Sequence, residues 1–292
     1  MSRPRHVLAG QFYMVTRRCA QRMFLLHPDS ATRNAFLYCL AIAAKLVGIE
    51  IIATCAMSNH HHTIIFDRLG LFPKFIEHFH KLLARSQNAL RRRRENFWAS
   101  GQCSVVRLVD RAAVIDKIVY CLTNPVKDML VEKVHQWPGA NSYVAMRNFT
   151  KSTLNRPLHF FRNEGTMAPS VELTFAIPEE LGDANEVIRE IIEGVSAVEA
   201  QCAAKRRTTG ARVVGVRQIK RESWTKTPSS EESRGTLSPT IACRDREMRI
   251  VALRELREFL VEYEVSRGEW LDGRRTVFPA GTYLLKRFSA PS

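Results

Sequence analysis

Alternating apolar positions and apolar positions at helical spacing follow one another in the first 50 residues. Residues 10–19, GQFYMVTRRC, alternate in the manner of a half-buried strand. Residues 36–47 then place apolar side chains at near-helical spacing. Asp29 or Ser30 can cap the start of this helix, and Gly48 can end it. The pattern predicts a strand followed by a helix.

Two β-branched runs come next, and a long apolar pattern follows them. Residues 49–57 and 60–66 are separated by a short turn, which is typical of a β-hairpin. Residues 73–94 have an apolar side with Pro73 in the first turn, so they predict a long helix.

A further strand and a helix complete this part of the chain. We expect the strand over residues 103–109 and the helix over residues 110–123, capped by Asp110. The helix should end or kink at Asn124 and Pro125, because a residue before proline avoids the helical region.

The resulting order is strand, helix, strand, strand, helix, strand, helix. This order predicts an α+β fold of the ferredoxin-like type, an antiparallel sheet with helices packed on one face. We assign residues 1–150 to this domain, which should close around residues 137–143. Residues 151–292 should form a mainly helical C-terminal extension.

The extension contains two helical patterns and one region rich in turn formers. Residues 184–206 and 241–268 predict helices, and residues 207–240 predict a linker or long loop. The end of the chain, FPAGTYLLKRF, is expected to be a short strand or a tail.

Charge is unevenly distributed along the 292 residues. Lys and Arg number 44 against 29 Asp and Glu, a net charge of +15. Residues 1–150 hold 21 basic and 9 acidic side chains, whereas residues 151–292 hold 23 and 20. Such a field attracts polyanions, so nucleic acid is the expected partner. A basic surface that only keeps the protein soluble is the alternative.

Composition also predicts the cellular location of the protein. Apolar runs fall short of the roughly 20 residues that span a bilayer, and the first residues lack the apolar stretch of a signal peptide. We therefore expect a cytoplasmic, nucleoid-associated protein with no membrane partner. The seven cysteines are odd in number and lack CxxC spacing, which favours reduced thiols over disulfides or a zinc ribbon.

Three consecutive histidines open the second strand of the predicted hairpin. Alternate side chains of a strand share a face, so His60 and His62 should point one way and His61 the other. Two imidazoles on one face can bind a divalent ion. The alternative is a solvated hairpin tip that happens to be rich in histidine.

Tyr120 and Asn124 lie four residues apart on the predicted helix, opposite its apolar side. A tyrosine on a half-exposed helix surface is a common structural feature. Together with the histidines, however, Tyr120 fits a specific chemistry. A Mg²⁺ or Mn²⁺ ion held by His60, His62 and an oxygen ligand can polarise a phosphodiester, and the Tyr120 phenolate can attack its phosphorus.

Two motifs resemble a known family. MSNHHHTII resembles the PNHxHxx segment of the HUH tyrosine transposases, and YCLTNPVKDMLV resembles their YIxxNPVxxGLV segment. The residues at 3–18 and 137–143 are also similar to the REP-associated branch. The resemblance covers about residues 1–150.

It implies an HUH endonuclease-type domain with His60 and His62 as metal ligands, Asn124 as a third polar ligand and Tyr120 as the nucleophile. It also implies a covalent 5′-phosphotyrosine intermediate, hairpin-flanked single-stranded DNA as substrate and no nucleotide cofactor.

Three positions depart from the family pattern. Ser58 replaces a proline, Met129 stands where glycine is frequent, and His61 replaces a hydrophobic residue. If His61 points towards the core, it needs a hydrogen-bond partner there; otherwise the strand has another register.

Several basic residues are candidate DNA contacts. They are Arg17, Arg18, Arg85, Arg91, Arg92, Arg93, Arg94 and Lys117. A solvated helix end is the alternative for the arginine run, and Phe97 and Trp98 beside it could stack on bases or pack in the core.

The sequence thus favours a metal-dependent single-stranded DNA endonuclease and strand transferase, and it leaves open whether Tyr120 acts within its own subunit or across a homodimer. The rival is a non-catalytic DNA-binding regulator derived from a transposase. A metal-dependent hydrolase of small substrates fits the charge asymmetry poorly.

Overall fold

The computed structural model describes residues 4–229 and 239–284. Its strands are β1 (Gln11–Arg18), β2 (Glu50–Ala56), β3 (His60–Asp67), β4 (Ser104–Leu108), β5 (Ser152–Asn155), β6 (Ser170–Leu173) and β7 (Ile241–Ala242). Its helices are α1 (Ser30–Val47), α2 (Phe72–Leu90), α3 (Arg111–Lys127), α4 (Tyr143–Arg147), α5 (Ala184–Thr209), α6 (Val216–Arg221) and α7 (Arg246–Leu271).

The main sheet has five strands in the order β2-β3-β1-β4-β7. The pairs β2–β3, β3–β1 and β1–β4 are antiparallel, and β7 adds a short parallel edge to β4. The predicted α+β class and element order are confirmed. The sheet is mixed rather than antiparallel throughout, because residues 241–242 pair with β4 before α7 begins.

Helices cover both faces of this sheet, so the prediction that they lie on one face is wrong. Tyr13 and Val15 of β1 share a core with α1 and α2. Met14, between them, shares a core with α3 and α5. Consecutive apolar side chains on one strand point to opposite faces, so each face needs its own cover.

The ends of α1 follow the sequence prediction. The Asp29 side chain accepts a hydrogen bond from the backbone N–H of Thr32, and Gly48 adopts the left-handed conformation that ends the helix.

Two other helix ends differ from the prediction. Helix α2 ends at Leu90 rather than at residue 94, and Arg92 has a positive φ of 53°. Helix α3 passes through Pro125 and ends at Lys127. Pro125 lies in the last turn, where the missing N–H removes only one helical hydrogen bond.

Residues 137–143 lie along the free edge of β2. The backbone N–H of Ala56 donates to the carbonyl of Ala140, and that of Ser142 donates to the carbonyl of Thr54. An edge strand covered in this way cannot pair with another chain.

Helix α5 packs directly on α3, so the C-terminal extension supports the helix that carries Tyr120. Four of its side chains, Val187, Ile188, Ile191 and Val195, are buried in the same core as the apolar side of α3. At Gly194 the two helices approach so closely that an added Cβ would lie 2.7 Å from a Val119 methyl group.

The region predicted as a linker is partly structured. Its described residues include α6 and pack on the first domain, and residues 230–238 lie outside the described chain. Helix α7 starts at Arg246, later than the predicted residue 241, because β7 precedes it. Residues 278–284 form no strand, and the rest of the C-terminal segment lies outside the described residues.

All seven cysteines are free and five are buried, as expected for reduced thiols. Within the described ranges, the helices are too short or too polar to cross a bilayer.

Candidate active site and DNA-binding surface

The register between β1 and β3 separates the three histidines as predicted. Thr16 pairs with His62, Arg17 with His61 and Arg18 with His60. His60 and His62 share the face covered by α3, and their ring centroids are 4.9 Å apart. The sheet therefore presents two neighbouring imidazoles on one side.

A hydrogen bond to Nδ1 orients each of these two rings. His60 Nδ1 lies 2.7 Å from the side-chain oxygen of Asn59, which can only accept, so Nδ1 carries the proton and Nε2 has a free lone pair. His62 Nδ1 lies 2.7 Å from the Thr16 hydroxyl. His62 Nε2 is buried and has no hydrogen-bond partner among the described residues. Sequence reasoning missed both orienting side chains.

Both imidazoles are neutral near pH 7. Burial, with a smaller effect of Arg18, lowers the pKa of His60 to about 4. Burial, then the neighbouring His60, His61 and Lys117, holds the pKa of His62 well below its usual value. A neutral imidazole is the form that binds a cation, so no proton competes at this pH.

Tyr120 lies beside His62, with 5.3 Å between the ring centroids. Its side chain is 37% exposed, so a substrate in solution can reach it. Partial burial raises the pKa of Tyr120, and a hydrogen bond with Asn124 offsets part of this rise. Asn124 itself is buried, and its Nδ2 lies 3.4 Å from the Tyr120 carbonyl oxygen.

Two lysines flank the Tyr120 ring. The Nζ atoms of Lys117 and Lys127 lie 5.5 and 4.8 Å from its centroid. Lys127 was missed from the sequence, although it lies seven residues after Tyr120 and thus two helical turns along the same face. Both ammonium groups favour negative charge at this position.

The donor set around Tyr120 fits a divalent cation in part. Two neutral imidazoles are suitable ligands, one of them with a buried nitrogen that has no hydrogen-bond partner in the described chain, and Asn124 lies one helical turn after Tyr120 on α3. In residues 4–229 and 239–284, however, no three His, Cys, Asp or Glu side chains form a metal-binding group. A third ligand would have to be an amide or solvent oxygen.

His61 points to the opposite face, as predicted, and finds the partner it needs. Its Nε2 lies 2.9 Å from His80 Nε2, and its Nδ1 lies 3.1 Å from the Thr63 hydroxyl. The ring packs against Phe36 and Phe79. The departure from a hydrophobic residue is therefore accommodated by a buried hydrogen-bond pair.

The arginine run does not form one DNA-facing surface. The Arg91 side chain is 6% exposed and bonds to the carbonyl of Leu25 and the hydroxyl of Thr32, so its burial contradicts the predicted DNA contact. Arg93 also points inward, towards the Met23 sulfur and the Asn96 carbonyl. Because α2 ends at Leu90, the four arginines are not part of the helix and do not share one exposed face.

The remaining candidate DNA contacts differ in position and exposure. Arg17 lies over the Trp98 ring on the side away from Tyr120. Phe97 and Trp98 are buried, so base stacking on them is excluded. Exposed side chains are those of Arg18, Arg85, Arg92 and Arg94, and Lys117 is half-buried beside Tyr120.

The solved structures that are similar to this chain include two transposases. One is a REP-associated tyrosine transposase bound to a REP hairpin, with 17% identity and a TM-score of 0.42, covering 49% of this chain and 83% of that one. The other is a candidate transposase from Deinococcus radiodurans, with 16% identity and a TM-score of 0.30, covering 41% of this chain and 96% of that one. No protein-family model and no curated protein matches the sequence. Because both TM-scores are low, the chemistry of this chain rests on its own side chains.

Proposed function

We propose that this protein is a metal-dependent single-stranded DNA endonuclease and strand transferase of the tyrosine transposase kind. The observation that carries the proposal is the position of the Tyr120 phenol beside His62, whose buried Nε2 lacks a hydrogen-bond partner among the described residues. An accessible nucleophile next to an imidazole nitrogen with an unshared lone pair is suited to phosphoryl transfer and contributes nothing to core packing.

His60 and His62 would hold the divalent cation, and the Asn124 amide oxygen is the proposed third ligand. Magnesium or manganese suits this mixture of nitrogen and oxygen donors. When bound, the cation would polarise the scissile phosphate and offset its negative charge.

The Tyr120 hydroxyl oxygen would attack the phosphorus and form a new P–O bond as the phenol loses its proton. The bond from phosphorus to the 3′ oxygen breaks, and this oxygen takes up a proton to leave as a 3′ hydroxyl. The product is a 5′-phosphotyrosine. Attack by a 3′ hydroxyl on this link would rejoin the strand and return the proton to Tyr120.

Positive charge around the site favours a DNA substrate over a small one. Lys117 and Lys127 flank the nucleophile, and Arg18 lies across from His60. These groups would pair with the scissile phosphate and its neighbours. The family resemblance of the two motifs adds the expectation of a hairpin next to the cleaved single strand.

Covalent trapping tests the proposal. A hairpin oligonucleotide library with labelled single-stranded flanks is incubated with the full chain and Mg²⁺ or Mn²⁺, and the products are separated under denaturing conditions. We expect a labelled protein adduct that requires the cation and disappears in Tyr120→Phe. Tyr263→Phe, on α7, is the matched control and should keep the adduct.

Salt-sensitive DNA binding without any adduct would instead identify a non-catalytic regulator. An adduct that persists in Tyr120→Phe would assign the nucleophile to another residue.

A further inference from the structure

A cavity of about 620 Å³ opens directly beside His60. The β2–β3 turn forms one wall with Met57 and Asn59, and the end of α3 forms another with Asp128 and Leu130. The third wall comes from the C-terminal extension, through residues 214–229, here called the strap. The first domain alone therefore does not complete this cavity.

Hydrogen bonds at both ends hold the strap in place. Near its start, the backbone N–H groups of Val214 and Gly215 donate to the carbonyls of Met129 and Leu130. Near its end, the Lys226 carbonyl accepts from the N–H of Phe24. The cavity thus has fixed walls, which is typical of a binding site rather than of a surface groove.

The walls combine apolar surface with a few polar groups. Apolar side chains from these three segments and from the loop after β1 line it: Phe24, Met57, Leu130, Val214 and Ile219. Asp128 and Glu222 also line it, together with Arg18, Arg22 and Lys226. Both oxygens of the Glu222 carboxylate accept hydrogen bonds, from Lys226 Nζ at 2.6 Å and from Gln218 Nε2 at 2.9 Å. The apolar walls match the two faces of a flat ring, and the Asp128 carboxylate can accept a hydrogen bond from an amino group on the edge of such a ring.

We infer that this cavity binds one unstacked nucleobase of the DNA strand, next to the phosphate that Tyr120 attacks. The inference rests on the proposed function, because the strand enters the cavity by way of His60. The base packs between the apolar walls, and its amino group faces the Asp128 carboxylate. The sugar-phosphate backbone of the strand runs along Arg18 and Arg22. The strap thereby determines which base is accepted beside the cleavage site.

Selection of DNA sequences tests this assignment. The full chain carrying Tyr120→Phe binds a hairpin library whose single-stranded flanks are randomised, and the bound fraction is sequenced. We expect preference for one base at a flanking position. Adding Val214→Trp, which fills the cavity, should remove that preference and weaken binding of the selected sequence about tenfold, the scale of losing one stacked base.

Val261→Trp is the matched control. It makes the same substitution at an exposed position of α7 that does not line the cavity, and it should select the same sequence as the parent. Asp128→Asn, which keeps the wall shape and removes its charge, should change the identity of the preferred base. This second variant keeps the test informative if the tryptophan disturbs folding.

Identical selected sequences for Val214→Trp, Asp128→Asn and Val261→Trp would overturn the inference, as would a parent chain that selects no base. Failure of the proposed function can be distinguished, because it would appear as the absence of an adduct when the chain with Tyr120 intact is used. Adduct formation combined with unchanged selection would reject only the base-binding cavity.

Discussion

The Thr16 hydroxyl lies 2.7 Å from Nδ1 of His62, its cross-strand partner. When this hydroxyl accepts a hydrogen bond from Nδ1, the His62 proton resides there and Nε2 keeps its lone pair. Thr16→Val keeps the shape of the side chain and removes the acceptor. We expect Mn²⁺ binding to weaken about 10- to 100-fold, as is usual when a ligand histidine loses its orienting partner.

Calorimetric titration with Mn²⁺ measures this effect, and Thr16→Ser is the control because it keeps the hydroxyl. Equal Mn²⁺ affinity in Thr16→Val and Thr16→Ser would show that the hydroxyl does not orient the ligand.

Arg91 and Arg94 should have opposite roles although they are three residues apart. Arg91→Met removes buried hydrogen bonds from a charged donor, so we expect the free energy of unfolding to fall by about 1.5–3 kcal/mol. Arg94 is exposed. Arg94→Met should leave stability unchanged and reduce the salt dependence of DNA binding by about 0.7 in log–log slope, the share of one single-strand phosphate.

Urea denaturation and binding titrations at several salt concentrations separate the two effects. A stable Arg91→Met protein with weakened DNA binding would reverse the assignment.

Asp29 should make stability depend on pH in the acid range. Burial alone would raise the pKa of this carboxyl, but hydrogen bonds from His27 and Thr32 and the charge of Arg91 lower it to about 2. Because the folded pKa is below the unfolded value, the stabilisation is complete above about 3.8 and disappears as pH falls towards about 2.

Asp29→Ala should therefore cost about 0.5–2 kcal/mol at pH 7, as for loss of a helix cap, and progressively less below pH 3.8. Denaturation curves of both proteins across this range provide the measurement. A cost that is constant from neutral to acid pH would contradict an ionised cap.

Two glycines in helices should respond oppositely to alanine. At Gly194 the new methyl would lie 2.7 Å from a Val119 methyl on α3, whereas at Gly268 nothing lies within 4 Å. Alanine in a helix gains up to about 1 kcal/mol over glycine, but overpacking costs about 1–3 kcal/mol. Gly268→Ala should stabilise the protein and Gly194→Ala should destabilise it.

Val119→Ala combined with Gly194→Ala should recover the loss by making room. Thermal melts of the three variants measure these effects. Equal changes in Tm for Gly194→Ala and Gly268→Ala would mean that α5 and α3 are not in close contact.

Local patterns predicted most of the first domain. The caps of α1, the hairpin and the alternation of the three histidines follow from side-chain chemistry within a few residues. The candidate site could be predicted for the same reason, because His60, His62 and Tyr120 occur in short motifs.

Long-range packing accounts for what the sequence did not reveal. Only the fold shows that Thr16 orients His62, that Arg91 is buried, and that α3 and α1 cover opposite faces of the sheet. The composition of residues 207–240, which include the strap, predicts a linker, because the strap is anchored by backbone groups distant in the chain. Such contacts leave little trace in local composition.

Helix α3 lies between the sheet and α5, and this arrangement has a consequence for dissecting the protein. An excised fragment ending at residue 150 would retain both motifs, yet it would expose to water the side of α3 that Val187, Ile191 and Val195 now cover. Tyr120 would then lie on a helix that packs against the sheet alone. Motif boundaries and folding boundaries do not coincide in this chain.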